Sequence, residues 1–192
     1  MKRRKKIGKR ISFAEDKRSL DLIIEQKTNP INAILIGIWC LSMGFVTIVF
    51  LYYFMNPDKN MEAWGFGIIG GLAMYFFYRS AKVLTWRLIG KEIIHLNEDK
   101  FTLRNSFGIL GRTYTLQPEK ISRLELLPYD YTKFMQFLDR SSYVIGGDAI
   151  ELSHAGKTYR FAKQVEEKDA KLMLRLIDKH LKDIVKAKKS KQ

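Results

Sequence analysis

Cysteine is almost missing from this chain: Cys40 is the single one in 192 residues, which excludes an internal disulfide and a cysteine-built zinc site. Proline is scarce as well, with four, and none falls inside residues 31–55 or 61–78. Residues 31–55 lack charge altogether, whereas residues 1–30 hold ten Lys or Arg and four Asp or Glu. Acids are outnumbered throughout, 20 against 34 bases, for a net charge of +14. The 46% hydrophobic and 28% charged average excludes a disordered or collagen-like chain. It conceals the main fact, which is that apolar and ionic residues sit in separate blocks.

The apolar blocks come first. Residues 31–55 (INAILIGIWCLSMGFVTIVFLYYFM) would form a helix of roughly 37 Å at 1.5 Å per residue, longer than the ~30 Å hydrocarbon layer. Residues 61–78 (MEAWGFGIIGGLAMYFFY) make a second run that ends at Arg79 and Lys82, whose long stems reach an interface. The link Asn56-Pro57-Asp58-Lys59-Asn60 holds turn formers and is too short for a domain. A transmembrane helical hairpin over residues 31–90 is predicted, with spans near 31–55 and 61–80. A signal peptide fits poorly, because the apolar run starts thirty residues in and no small-x-small cleavage site precedes the link.

Flanking charge sets the orientation. Ten cations precede the first span, among them Lys2, Arg3, Arg4, Lys5 and Lys6, and Arg79, Lys82, Arg87 and Lys91 end or follow the second. The link carries only Lys59, so the positive-inside rule places both termini in the cytoplasm with the short link outside. Lys2, Arg3, Arg4, Lys5, Lys6, Arg79 and Lys82 are candidates for nonspecific contact with anionic lipid, each cation contributing about 1 kcal/mol near such a surface. No nucleic-acid fold signature accompanies the basic ends, and no nucleic acid is expected as partner.

The remainder reads as a cytoplasmic domain over residues 91–186, with a basic tail at 187–192. Short strands are expected at 92–97, 101–107, 112–116, 120–127, 143–145, 149–153 and 158–163, the last two joined by the turn His154-Ala155-Gly156-Lys157. Residues 19–26 (SLDLIIEQ) alternate as a strand does, although Phe13, Lys17, Leu20 and Ile24 would also line one side of a helix. From about 166 to 186, Ala170, Met173, Leu174, Ile177, Leu181 and Ile184 recur at helical spacing opposite a lysine-rich face. Some seven antiparallel strands closed by one amphipathic helix is the order of an α+β, pleckstrin-homology (PH)-like domain, a curled sheet or barrel capped by its C-terminal helix, and the pattern suits another small α+β roll equally.

The basic start, the tight membrane hairpin, the linker Arg87-Leu88-Ile89-Gly90-Lys91-Glu92, the stretch Leu116-Gln117-Pro118-Glu119-Lys120-Ile121 and the strand Gly156-Lys157-Thr158-Tyr159-Arg160-Phe161 before a terminal helix resemble bacterial two-span proteins with a PH-like cytoplasmic domain. The layout is similar to that of the photosystem I assembly factor family. The resemblance implies accessory, scaffold or assembly work beside other membrane protein subunits, with an anionic-lipid-sensing module as the alternative and a membrane enzyme as the less favoured one.

Motifs for chemistry are sparse. Gly65-Phe66-Gly67-Ile68-Ile69-Gly70 spells a dinucleotide fingerprint, but it lies inside a membrane run, not between a strand and a helix start. Read as helix surface, Ala63, Gly67 and Gly71, with Gly70 beside them, form a small-xxx-small ladder for close helix contact, with Ala33, Gly37 and Gly44 as counterparts. His95, His154 and His180 are too far apart in sequence to pair as ligands, and Ser141-Ser142 has no spaced base. No catalytic residue, metal or cofactor is expected. Residues 128–140 (PYDYTKFMQFLDR) concentrate Tyr129, Tyr131, Phe134 and Phe137, residue types enriched at interface centres, and are the candidate partner-docking segment.

Overall fold

The computed structural model describes residues 4–16, 19–26, 29–56, 63–107, 110–128, 141 and 144–189. The chain divides into two compact units, one built from residues 28–88 and the other from residues 1–27 together with 89–192. The domain thus draws on both ends of the sequence.

The first unit contains two long helices. Helix α1 (Pro30–Met55) begins where the Asn29 side chain accepts the Ile31 N–H at 3.1 Å and Pro30 occupies the first turn, where its missing donor costs nothing. Helix α2 (Ala63–Ile89) ends directly at a strand beginning with Gly90. Contacts between them descend in antiparallel register: Gly44 lies against Phe77, Gly70 against Phe50 and Leu51, and Gly67 against Phe54. Hydroxyls along both helices bond back to carbonyls one turn earlier, Thr47 to Met43 at 2.7 Å and Ser80 to Phe76 at 2.9 Å. Of the two, α1 is long and apolar enough to cross a membrane by length and composition. The apolar stretch of α2 is diluted by glycine, tyrosine and tryptophan and is then followed by Arg79 and Lys82.

The second unit holds nine antiparallel strands among the described residues, not the seven expected, arranged as two sheets with no closed barrel. The first sheet is a meander of β1 (Lys5–Ile7), β2 (Ile11–Asp16), β3 (Ser19–Glu25), β4 (Gly90–Asn97), β5 (Phe101–Phe107) and β6 (Leu110–Leu116). The second is β7 (Ile121–Leu126), β8 (Asp148–His154) and β9 (Lys157–Lys163). Two strands in the basic N-terminal segment, β1 and β2, went unforeseen because cations at Lys5, Lys6 and Lys9 mask a short exposed edge. The strand expected at 143–145 is instead a bend at Val144 and Ile145, while Tyr143 lies outside the described residues. For residues 19–26 the strand alternative holds: Leu20, Leu22 and Ile24 are fully buried on one face, opposite their partners on β4.

Helix α3 (Glu167–Lys189) closes the unit. Ala170, Met173, Ile177, Leu181 and Ile184 enter one core with Ile94, Leu96, Phe101, Ile150, Leu152 and Phe161 from both sheets, while Leu174 packs at its margin. The helix runs into the expected basic tail, where Lys188 reaches Glu119 at 2.7 Å.

Turn chemistry offers a direct check on this architecture. The β8–β9 hairpin turns through Ala155 at φ 49° and Gly156 at φ 78°, the paired positive angles that favour Asn-Gly. Ala at the first of these positions is disfavoured by its Cβ. Ala155→Asn is therefore expected to stabilise the protein by about 0.5–1 kcal/mol, read as a higher unfolding midpoint of the detergent-solubilised chain. An unchanged or lower midpoint contradicts the assigned turn.

Candidate functional site

Strand β4 alternates strictly, with Glu92, Ile94 and Leu96 on its inner face. An acid therefore stands where the pattern demands an aliphatic side chain, and it is 1% exposed. Burying a carboxylate unpaired would cost several kcal/mol. Glu92 is paired on both oxygens: one accepts the Ala162 N–H at 2.7 Å, the other the Lys163 N–H at 3.1 Å. The Lys163 ammonium stands 3.6 Å away and bonds Asp148 at 2.9 Å.

These amides converge because the end of β9 is bent. Ala162 has φ 64° and Gln164 φ 52°, and such alternation of backbone hand turns successive N–H groups toward one anion. Arg10 secures the same bend from the other side, donating to the Gln164 carbonyl at 2.7 Å, the Glu25 carbonyl at 3.0 Å and the Gln26 side chain at 2.6 Å. Burial pushes the Glu92 carboxyl above the usual carboxylate range, with Lys163 pulling against it. Burial lowers the Lys163 ammonium, but Glu92 and Asp148 outweigh it and hold the group above its ordinary value. Burial likewise draws the Arg10 guanidinium down, opposed by Glu92 and Glu166.

Next to this network a cleft of about 670 Å³ opens between β4–β6 and β9. Alternation directs Glu92, Leu103, Asn105 and Tyr114 from the first sheet and Lys157 and Tyr159 from the second toward it. The Tyr114 and Tyr159 rings meet edge to face at 5.3 Å between centroids. Arg104 and Arg160 also border the cleft, but the same alternation turns their side chains to the opposite faces of their sheets, where Arg160 pairs with Glu151 at 2.9 Å.

None of the residues expected from sequence to contact a helix, a lipid or a partner lies in the cleft. In the helical unit, a Cβ on Gly67 would stand 3.0 Å from the Phe54 ring and one on Gly70 3.3 Å from Phe50, whereas Gly71 has nothing within 4 Å. The face turned toward α1 thus follows Gly67, Gly70 and the buried Ala73, while Gly71 departs from it and Ala63 is half-buried at the start of α2. Arg4, Lys5 and Lys6 are exposed, the last two on β1; Arg79 and Lys82 are exposed on α2. Lys2, Arg3 and the docking residues Tyr129, Tyr131, Phe134 and Phe137 lie outside the described residues.

The histidines are dispersed. His95 contacts Asp21 across the β3–β4 ladder, the His154 ring accepts the Gln117 N–H at 3.2 Å, and the buried His180 ties α3 to Glu15 on β2 at 3.1 Å. No group of three or more His, Cys, Asp or Glu able to hold a metal occurs among the described residues. Sequence reasoning missed the Glu92 network. Its signal was present, an acid in register with Ile94 and Leu96, but nothing local identified the backbone amides seventy residues away that receive it.

No protein-family model matches the chain, and no curated protein or solved structure matches it.

The Glu92 arrangement makes a quantitative prediction. Glu92→Gln replaces one acceptor oxygen with an NH2 group facing a backbone N–H, leaving a buried donor unpaired. A loss of about 2 kcal/mol is expected, measured as a lower urea midpoint with unchanged slope. A variant as stable as the parent would mean that the two amides find other acceptors.

Proposed function

We propose that this chain is a two-span membrane protein that carries a PH-like domain on the cytoplasmic side of a bacterial inner membrane and serves there as an accessory or assembly subunit of a membrane protein complex. One observation carries the topology: β3 pairs with β4, Glu25 opposite Lys91, although residues 28–88 intervene. If α1 crosses a bilayer, the chain has to return for that ladder to form. α2 is the segment available for the return: its uncharged part, residues 63–78, reaches about 24 Å at 1.5 Å per residue, and the long stems of Arg79 and Lys82 extend from its end toward the interface.

Surface chemistry supports the same reading. Apart from Tyr114 and Leu172, the exposed large hydrophobic side chains among the described residues all lie on α1 or α2, and a water-soluble monomer rarely leaves so much apolar surface uncovered. The back-bonded hydroxyls suit an environment without water to hydrogen-bond. Cations at Arg4, Lys5, Lys6 and Lys9 before α1, and at Lys82 and Lys91 late in and beyond α2, favour a cytoplasmic position for both termini. Two antiparallel sheets closed by an amphipathic terminal helix support the PH-like assignment, with β1–β3 extending one edge.

The assembly role rests on the resemblance to two-span PH-like proteins and on the face of α2 that carries Gly71, where another helix has room to approach. Docking through Tyr129, Tyr131, Phe134 and Phe137, and nonspecific anionic-lipid contact through the basic residues, belong to the same proposal.

Two experiments test it. In a Cys40→Ala background on spheroplasts, a membrane-impermeant maleimide should label Asn56→Cys without lysis and Arg175→Cys only after lysis; labelling of both positions from the same side rejects the two-span topology. For the helix contacts, Gly67→Leu should lose about 1–3 kcal/mol of stability by overpacking against Phe54. Gly71→Leu should melt like the parent yet dissociate a co-purifying membrane subunit. A complex that survives Gly71→Leu at parental size removes this face from the proposed interface.

A further inference from the structure

The cleft between β4–β6 and β9 is not needed for membrane anchoring, and its lining has a definite chemical bias. About 670 Å³ falls within the size range of small-molecule sites. The acid in the lining, Glu92, is 1% exposed with both oxygens committed to the Ala162 and Lys163 amides, so it presents no free acceptor to a ligand. Lys163 is likewise committed, to Asp148 and Glu92, at the floor.

What faces the opening is mostly able to donate. Lys157 is exposed, and its ammonium has no hydrogen-bond or ion-pair partner among the described residues; the same holds for the Asn105 amide on the opposite wall. The Tyr114 and Tyr159 rings form a flat apolar surface beside them, each ending in a hydroxyl. Arg104 and Arg160 stand on the far faces of the bordering strands and add positive potential without filling the space.

We propose that this cleft binds a phosphate-bearing small molecule, its phosphate held by Lys157 and Asn105 and its organic body laid against Tyr114 and Tyr159. Lys157 is a point charge of the kind that binds a phosphate without a bidentate fork, Asn105 adds a neutral donor, and the paired tyrosine rings offer an organic body an apolar face. A soluble phosphate ester and a lipid phosphate headgroup share this chemistry. The proposal is independent of how often the helices cross a membrane.

The test is calorimetric titration of the full chain in neutral detergent micelles with phenyl phosphate, which carries both an aromatic ring and a phosphate. Saturable binding is expected. Lys157→Gln should weaken it about tenfold, and Asn105→Ala should weaken it as well, while Arg175→Gln on the exposed face of α3 should bind as the parent does. All variants should melt with the parent, since neither cleft side chain is bonded to another of the described residues. Repeating the titration in micelles doped with phosphatidic acid identifies the source: competition that Lys157→Gln abolishes assigns a lipid headgroup, and undiminished binding assigns a soluble ester. Absence of saturable binding to phenyl phosphate, or equal affinity for the parent, Lys157→Gln and Arg175→Gln, overturns the proposal.

Discussion

The second unit depends on one buried carboxylate. Glu92 belongs to the first sheet and its hydrogen-bond donors to the end of the second, so a single side chain fastens two sheets that share no strand. Its desolvation is offset by two backbone amides, which would themselves be unsatisfied without it, and by the Lys163 ammonium 3.6 Å away. The same contact stabilises the positive φ angles at Ala162 and Gln164, which would cost about 1–2 kcal/mol each in isolation. Arg10 completes the arrangement by donating to the Gln164 and Lys163 carbonyls at this bend. Acid, bend and guanidinium are each unfavourable alone and compensate one another together.

A second constraint concerns chain order. β3 and β4 form a regular antiparallel ladder from Ser19↔Asn97 to Glu25↔Lys91, the geometry of a hairpin whose loop has been replaced by residues 28–88. Closing so long a connection costs about 2–3 kcal/mol more entropy than closing a short turn, and the ladder, with Leu20, Leu22 and Ile24 fully buried along it, offsets that cost. This placement explains why an N-terminal segment that looks like a basic flank is an integral part of the domain. It also means that the helical unit leaves and re-enters the sheet at adjacent strands, which is the physical basis of the proposed two-span topology.

The cleft arises from the same incomplete closure. β6 and β9 are edge strands of separate sheets, and they meet through the Tyr114 and Tyr159 rings without pairing their backbones. A closed barrel would have buried Asn105 and Lys157 at high cost. The gap keeps them wet and available. Stability and accessibility therefore divide along the inner face of β4, with Ile94 and Leu96 in the core and Glu92 at the boundary.

Much of this was legible in the sequence, for reasons that are local. An uncharged run of helix-spanning length, alternation at residues 19–26 and 92–97, the Ala155-Gly156 turn and the spacing of Met173, Ile177, Leu181 and Ile184 each act within a few residues, so the sequence by itself determined the long helices, most strands and the closing helix. Only the tertiary structure decided what long-range pairing governs. It recruited β1 and β2, whose cations conceal them from any hydrophobic pattern. It divided the strands into two sheets instead of one curled barrel. It brought the Ala162 and Lys163 amides to Glu92, and it placed Lys157 and Asn105 in the lining of one cleft. The Glu92 contact joins groups seventy residues apart, and periodicity carries no information about which distant backbone a side chain will meet.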